Sequence, residues 1–170
     1  LFAVDVMIVD DKDEPVATGQ PGEVVVRGHN VMKGYYKRPD ATAEAMRNGW
    51  FHTGDIGTLD ADGYLSIVDR KKDMILRGGF SVFPRELEEV MLTHPAVSQV
   101  AVIGVPDERL GEEVKAFVVK KTDAELTEDA LLAWCKDQFA AYKYPRHIEC
   151  RTELPPSATA KSLKRGLRVI

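Results

Sequence analysis

The sequence predicts an α+β chain, built as a small β-rich subdomain followed by a compact α+β domain. Two observations carry this expectation. Short β-branched runs at residues 4–9 and 23–27 (EVVVR) are separated by DDKDEPVATGQPG, where Asp, Pro and Gly mark turns. Beyond Arg70 the pattern changes to helical periodicity alternating with apolar runs, in a βαββαβ-like order.

The first two runs read as an antiparallel pair. RPDATAEAMRNG reads as a short helix, with Asp40 after Pro39 as its N-cap and Gly49 as its terminator. DADG at 60–63 is a hairpin turn signal between GTL and YLSIVD. In the second part, PRELEEVMLTH carries Leu87, Val90 and Met91 on one face, with Pro84 at a favourable helix start. SQVAVIGV and EVKAFVVKK read as strands around PDERLGE. TEDALLAWCKDQF is an amphipathic helix opened by Thr127, and HIECRTEL is a last strand. The charged stretch Asp69–Lys72 divides the chain into residues 1–69 and 70–170. No internal repeat or low-complexity segment interrupts it.

At 170 residues and 44% hydrophobic, the chain can bury one good core or two small ones. Its net charge is −4 with acids and bases interspersed, which argues against a nucleic-acid-binding surface. Cys135 and Cys150 lack metal-ligand spacing, as do the four histidines, so no protein-held metal is expected and each histidine reads as structural. Nothing resembles a signal peptide or an apolar span of about 20 residues, which makes the cytoplasm the default location. The chain opens on Leu1 and runs straight into a strand, as expected of a piece whose first strand has lost its partner.

Two sites suggest chemistry. Thr53-Gly54-Asp55 sets a carboxylate beside a glycine that lets backbone approach a ligand, and a carboxylate can accept both hydroxyls of a vicinal diol. In PPSATAKSLKRGLR, Lys161 sits between small residues and a basic tail, an arrangement suited to bringing a cation to an anionic reacting centre.

The motifs WFHTGDIG, GYLSIVDRKKDMILRGGFSVFPRELEEV, HPAVSQVAVIGVPDERLGEEVKAFVV, AAYKYPRHIE and LPPSATAKSLKR follow one another in the order and spacing of the acyl-adenylate-forming enzymes. The chain resembles most the acyl-CoA synthetases, fatty-acid–CoA ligases among them. The resemblance covers nearly all of its length. It implies that residues 1–69 are the last β-rich part of a large AMP-binding domain and that 70–170 are the small mobile C-terminal domain.

The same resemblance implies roles for particular residues. Asp55 corresponds to the acid that holds the ATP ribose hydroxyls. Arg70 corresponds to the arginine that contacts the nucleotide; an ion pair with Asp69 or Asp73 is the plainer reading. Lys72 falls at the hinge about which the small domain turns, unless it is simply a solvated lysine. Gly78 and Gly79 match the loop along the pantetheine arm of CoA, although a tight turn explains two glycines equally well. Arg77 is placed to meet a CoA phosphate. Lys161 matches the lysine that reaches the substrate carboxylate and the α-phosphate, while Lys164 and Arg165 read as a charge cluster at a helix C-terminus. Ala160 departs from the glycine usual before that lysine.

The function implied is an ATP-dependent carboxylate–CoA ligase, with a fatty acid as the expected acid, Mg²⁺ as counter-ion of the ATP phosphates and CoA as co-substrate. The rivals are an adenylation domain that delivers to a carrier protein and, for the piece alone, a non-catalytic nucleotide- or CoA-binding module. The phosphate loop and acyl pocket are expected in a missing N-terminal domain of the same chain.

Overall fold

The computed structural model describes residues 3–155, 164, 166 and 167. They divide into two compact units, Leu1–Lys72 and Asp73–Ile170.

The first unit is a five-stranded sheet. β1 (Val4–Val9) pairs antiparallel with β2 (Gly22–Gly28), and β2 with the long β4 (Trp50–Leu59). The other edge of β4 is shared: β3 (Met46–Arg47) pairs with its start and β5 (Leu65–Arg70) with its end. The turn between β4 and β5 is the expected one, with the Asp60 carboxylate accepting the N–H groups of Asp62 and Tyr64. Ile8, Val9, Val24, Val25 and Ile56 form the buried apolar set.

The helix α1 (Pro39–Ala45) forms, but Asp40 is not its cap. Arg38 holds the N-cap position without a side-chain bond, and Pro39 occupies the first turn, where its missing N–H costs nothing. Asp40 lies one residue further in, where its charge favours the helix N-terminus and faces Arg38 at 3.6 Å. A 3-10 turn, Lys71–Asp73, follows β5 and spans the boundary between the units.

The second unit begins with a hairpin that the sequence pattern did not resolve, β6 (Ile75–Arg77) and β7 (Phe80–Val82). Then come α2 (Pro84–Met91), β8 (Val97–Asp107), β9 (Gly111–Lys120), α3 (Glu128–Gln138) and β10 (His147–Arg151). The sheet runs β10-β9-β6-β7 with β8 also on β9; β10 lies parallel to β9 and the other pairs are antiparallel. Thr127 caps α3 as expected, its hydroxyl accepting the Ala130 N–H at 3.1 Å.

Alternation along β8 and β9 builds two apolar layers. Val102, Val114, Ala116 and Val118 face α2 and α3, where Leu87, Met91, Leu131 and Cys135 are fully buried. Ala101, Ile103 and Phe117 point the other way and are covered by Leu154 and Leu167. Burying a side chain of this size contributes about 2 kcal/mol, so each layer is a substantial anchor. Among the described residues, no helix is long and apolar enough to cross a membrane.

Candidate functional site

Asp55 does not sit in a turn. It lies within β4, one residue after Gly54, whose φ is +71° and whose missing Cβ would meet open space. The glycine is therefore selected by backbone conformation, not by crowding. The β2–β4 ladder shifts register between Glu23 and Val25, and this irregularity frees the strand from regular pairing beside Asp55.

Directly opposite Asp55 across the β4–β5 ladder stands Arg70. Arg70 Nε lies 3.1 Å from Asp55 Oδ1, with the side chains 51% and 30% exposed. The resemblance assigned Arg70 to the nucleotide, with an ion pair to Asp69 or Asp73 as the alternative; its guanidinium meets Asp55, the other residue so assigned. Only one carboxylate oxygen of Asp55 is engaged this way, and the guanidinium is half open to solvent. Such a pair can accept a diol on the acid and meet an anion on the base, so its donor set fits a ribose phosphate.

Behind this pair lies a group of charges that the sequence did not reveal. Glu23 is buried, yet its Oε1 accepts the Gly54 N–H at 3.2 Å and its Oε2 accepts Lys71 Nζ at 3.1 Å. His52 Nδ1 is 3.2 Å from the same Oε2 and 3.0 Å from Arg47 Nη2, and Arg47 in turn pairs with Asp13 at 3.2 Å. Burial alone would push the Glu23 carboxyl up, but the bonds from His52 and Lys71 outweigh it and hold the group below the usual carboxylate range. Lys71 is the mirror case. Burial would lower its ammonium, and the bonds to Glu23 and Asp11 raise it instead. Hydrogen bonding to Arg47 also lowers Asp13. The signal in sequence was the charge itself: Glu23 stands directly before the apolar run Val24–Val26.

In the second unit, Gly78 and Gly79 are the two central residues of the β6–β7 hairpin. Arg77 pairs with Phe80 across them, and both glycines have positive φ, +57° and +84°, as a type I′ turn requires. That turn accounts for the glycines by itself and leaves Gly79 with open space over its Cα. Phe80 is exposed and stacks on Tyr142, ring centroids 4.7 Å apart. Arg77 is not available to a phosphate. It is buried, with Nη2 on Glu113 Oε2 at 2.9 Å and Nη1 on the Tyr142 carbonyl at 3.0 Å.

Lys72 is exposed in the 3-10 turn and is the last residue of the first unit. Lys161 and Ala160 lie outside the described residues. Among the described residues, no group of three or more His, Cys, Asp and Glu could hold a metal ion.

Two family profiles match the chain: AMP-binding enzyme over residues 1–36 and AMP-binding enzyme C-terminal domain over 86–161, together more than half of its length. The chain belongs to the AMP-binding enzyme family. It is 54% identical over 166 residues to a long-chain-fatty-acid–CoA ligase of Escherichia coli O157:H7, covering 98% of this chain and 29% of that protein. It is 48% identical over 167 residues to a feruloyl-CoA synthase of an Amycolatopsis species, covering 98% and 34%. The structure superposes on the ATP-bound MatB of Rhodopseudomonas palustris with a TM-score of 0.90 at 34% identity, over 99% of this chain and 35% of that one. The chain thus spans about a third of the relatives it matches. For an AMP-binding chain the two profile matches leave residues 37–85 between them, and Asp55, Arg70, Gly78 and Gly79 all fall in that interval.

Proposed function

We propose that this chain is the C-terminal part of an ATP-dependent acyl-CoA synthetase, which joins a carboxylic acid to AMP and then transfers the acyl group to CoA. The observation that carries the reading is the Asp55–Arg70 pair: two residues assigned to the nucleotide on separate strands meet at a single register position. A relative of the same fold, the Rhodopseudomonas palustris protein, holds ATP.

In this reading residues 1–69 complete the large AMP-binding domain and residues 70–170 form the small domain, which turns about Lys72 between the half-reactions. Asp55 accepts the ribose hydroxyls and Arg70 meets the nucleotide. Lys161 supplies positive charge to the carboxylate and α-phosphate during adenylation. The Gly78-Gly79 turn, free of side chains, lets the pantetheine arm pass when the thiol attacks. Bound Mg²⁺ would neutralise the ATP phosphates. The cytoplasm, where ATP and CoA are at hand, is the location we assign.

A fatty acid is the preferred substrate class on the higher identity to the Escherichia coli relative. The relative named for ferulate follows closely at 48%, which argues that the acid is selected by parts of the enzyme outside this chain. The test is pyrophosphate release by the full-length protein over acids of different chain length, with and without CoA. AMP and acyl-CoA should form only with acid, ATP and CoA all present. ATP binding without any acid-dependent turnover would replace the ligase with a nucleotide-binding module.

A further inference from the structure

We infer that Glu23 is a positioning residue for the nucleotide site, holding the strand corner from which Asp55 and Arg70 project; this rests on the reading of Asp55 as the ribose-binding acid. The two oxygens of Glu23 act on different strands. Oε1 accepts the N–H of Gly54, the residue before Asp55, at 3.2 Å. Oε2 accepts the ammonium of Lys71, the residue after Arg70, at 3.1 Å. One buried carboxylate therefore grips the immediate neighbours of both site residues.

The local backbone needs such a grip. Gly54 is left-handed and lies beside the register shift of the β2–β4 ladder, so Glu23 supplies a bond where regular pairing lapses. Thr53 adds a second brace: its hydroxyl accepts the Asp55 N–H at 3.1 Å and donates to the Val24 carbonyl at 2.8 Å. His52, facing the same Oε2 from within β4, ties the carboxylate to the Arg47–Asp13 pair. A buried ionic network adds little net stability over an apolar core of the same shape. What it adds here is geometry, since each member has a fixed partner.

The experiment uses the full-length enzyme and the Glu23→Gln variant, in which the amide keeps one acceptor but turns a donor toward Lys71. KM for ATP in adenylation should rise roughly tenfold while kcat stays within about threefold, the pattern of lost uniform binding. Discrimination between ATP and 2′-deoxy-ATP should shrink, because the diol is no longer met squarely. In an Asp55→Ala background, Glu23→Gln should leave sugar discrimination unchanged and raise KM less than it does in wild type, because only the Arg70 contact is then left to disturb. Should Glu23→Gln fail to fold, Lys71→Gln, which removes one partner of Glu23 and leaves the carboxylate in place, carries the same readouts. Unchanged KM and unchanged sugar discrimination, or an equal rise in KM with and without Asp55, would overturn the inference and leave Glu23 a structural residue. An unchanged KM in Asp55→Ala alone would instead sink the nucleotide reading itself.

Discussion

Lys164 pairs with Glu88, Nζ to Oε1 at 3.0 Å, although it belongs to a basic run that reads from sequence as a charge cluster at a helix C-terminus. Lys164 is buried and the Glu88 side chain is 19% exposed. The same Glu88 oxygen accepts the Val102 N–H at 2.8 Å, so one carboxylate ties α2, β8 and the C-terminal segment together. Leu167, buried against Ala101, Ile103 and Phe117, anchors the segment a second time.

Removing one partner of a buried pair strands the other. Lys164→Met should therefore lower the unfolding stability of the second unit by ~3–5 kcal/mol, measured by urea denaturation of the 170-residue chain. Adding Glu88→Gln should recover part of the loss, because no uncompensated charge then remains. A loss for Lys164→Met under about 0.5 kcal/mol, the range of ordinary surface changes, would show that the pair has no energetic weight.

Asp55→Ala in the full-length enzyme removes a contact made in ground and transition states alike. KM for ATP should rise by roughly tenfold or more with a smaller change in kcat, and the preference for ATP over 2′-deoxy-ATP should fall. Arg70, left without its partner at 3.1 Å, remains charged and exposed, so the fold should survive. A normal ATP titration curve would reject the assignment.

The Glu23 network predicts a two-sided pH profile for the first unit. The folded pKa of Glu23 is depressed, so its contribution is present above the unfolded carboxylate value of about 4.3 and is lost as pH falls through the folded value. The folded pKa of Lys71 is raised, so its contribution is present below the unfolded lysine value of about 10.4 and is lost as pH rises through the folded value. Stability should be flat between these limits and fall outside them. With Trp134→Phe, the fluorescence of Trp50 reports the first unit alone, and Glu23→Gln should blunt the acid limb. An acid limb identical in wild type and Glu23→Gln would remove Glu23 from the account.

Much of this was legible in the sequence because it depends on local spacing. The α3 cap at Thr127, the Asp60–Gly63 turn and the strand-like apolar runs of β8 and β9 are each set within a few residues. What escaped depends on pairing across strands. The Arg70 guanidinium finds Asp55 because the antiparallel register sets them opposite each other. Arg77 looked like a free cation beside two glycines, but the fold turns it inward onto Glu113. Glu23 gave no motif at all. Its meaning comes from Gly54 and Lys71, which only the folded sheet brings to it. Of the β6–β7 hairpin only the Gly78-Gly79 turn and a single strand could be read, since three-residue strands are too short to show a period.

Lys161 tests the division of labour between the two half-reactions. Its ammonium, by family resemblance, serves the charge that develops between carboxylate and α-phosphate, and the later thiol attack makes no use of it. Lys161→Ala in the full-length enzyme should therefore slow adenylation by roughly 10²–10³, read as pyrophosphate release in a single turnover. Thioester formation from supplied acyl-AMP and CoA should change little. Lys164→Met offers a contrast, because Lys164 is already committed to Glu88 and has no charge to lend. Where the protein still folds, its adenylation rate should exceed that of Lys161→Ala. Equal losses in both half-reactions for Lys161→Ala would mean that the lysine supports the whole site and is not the cation of the first step.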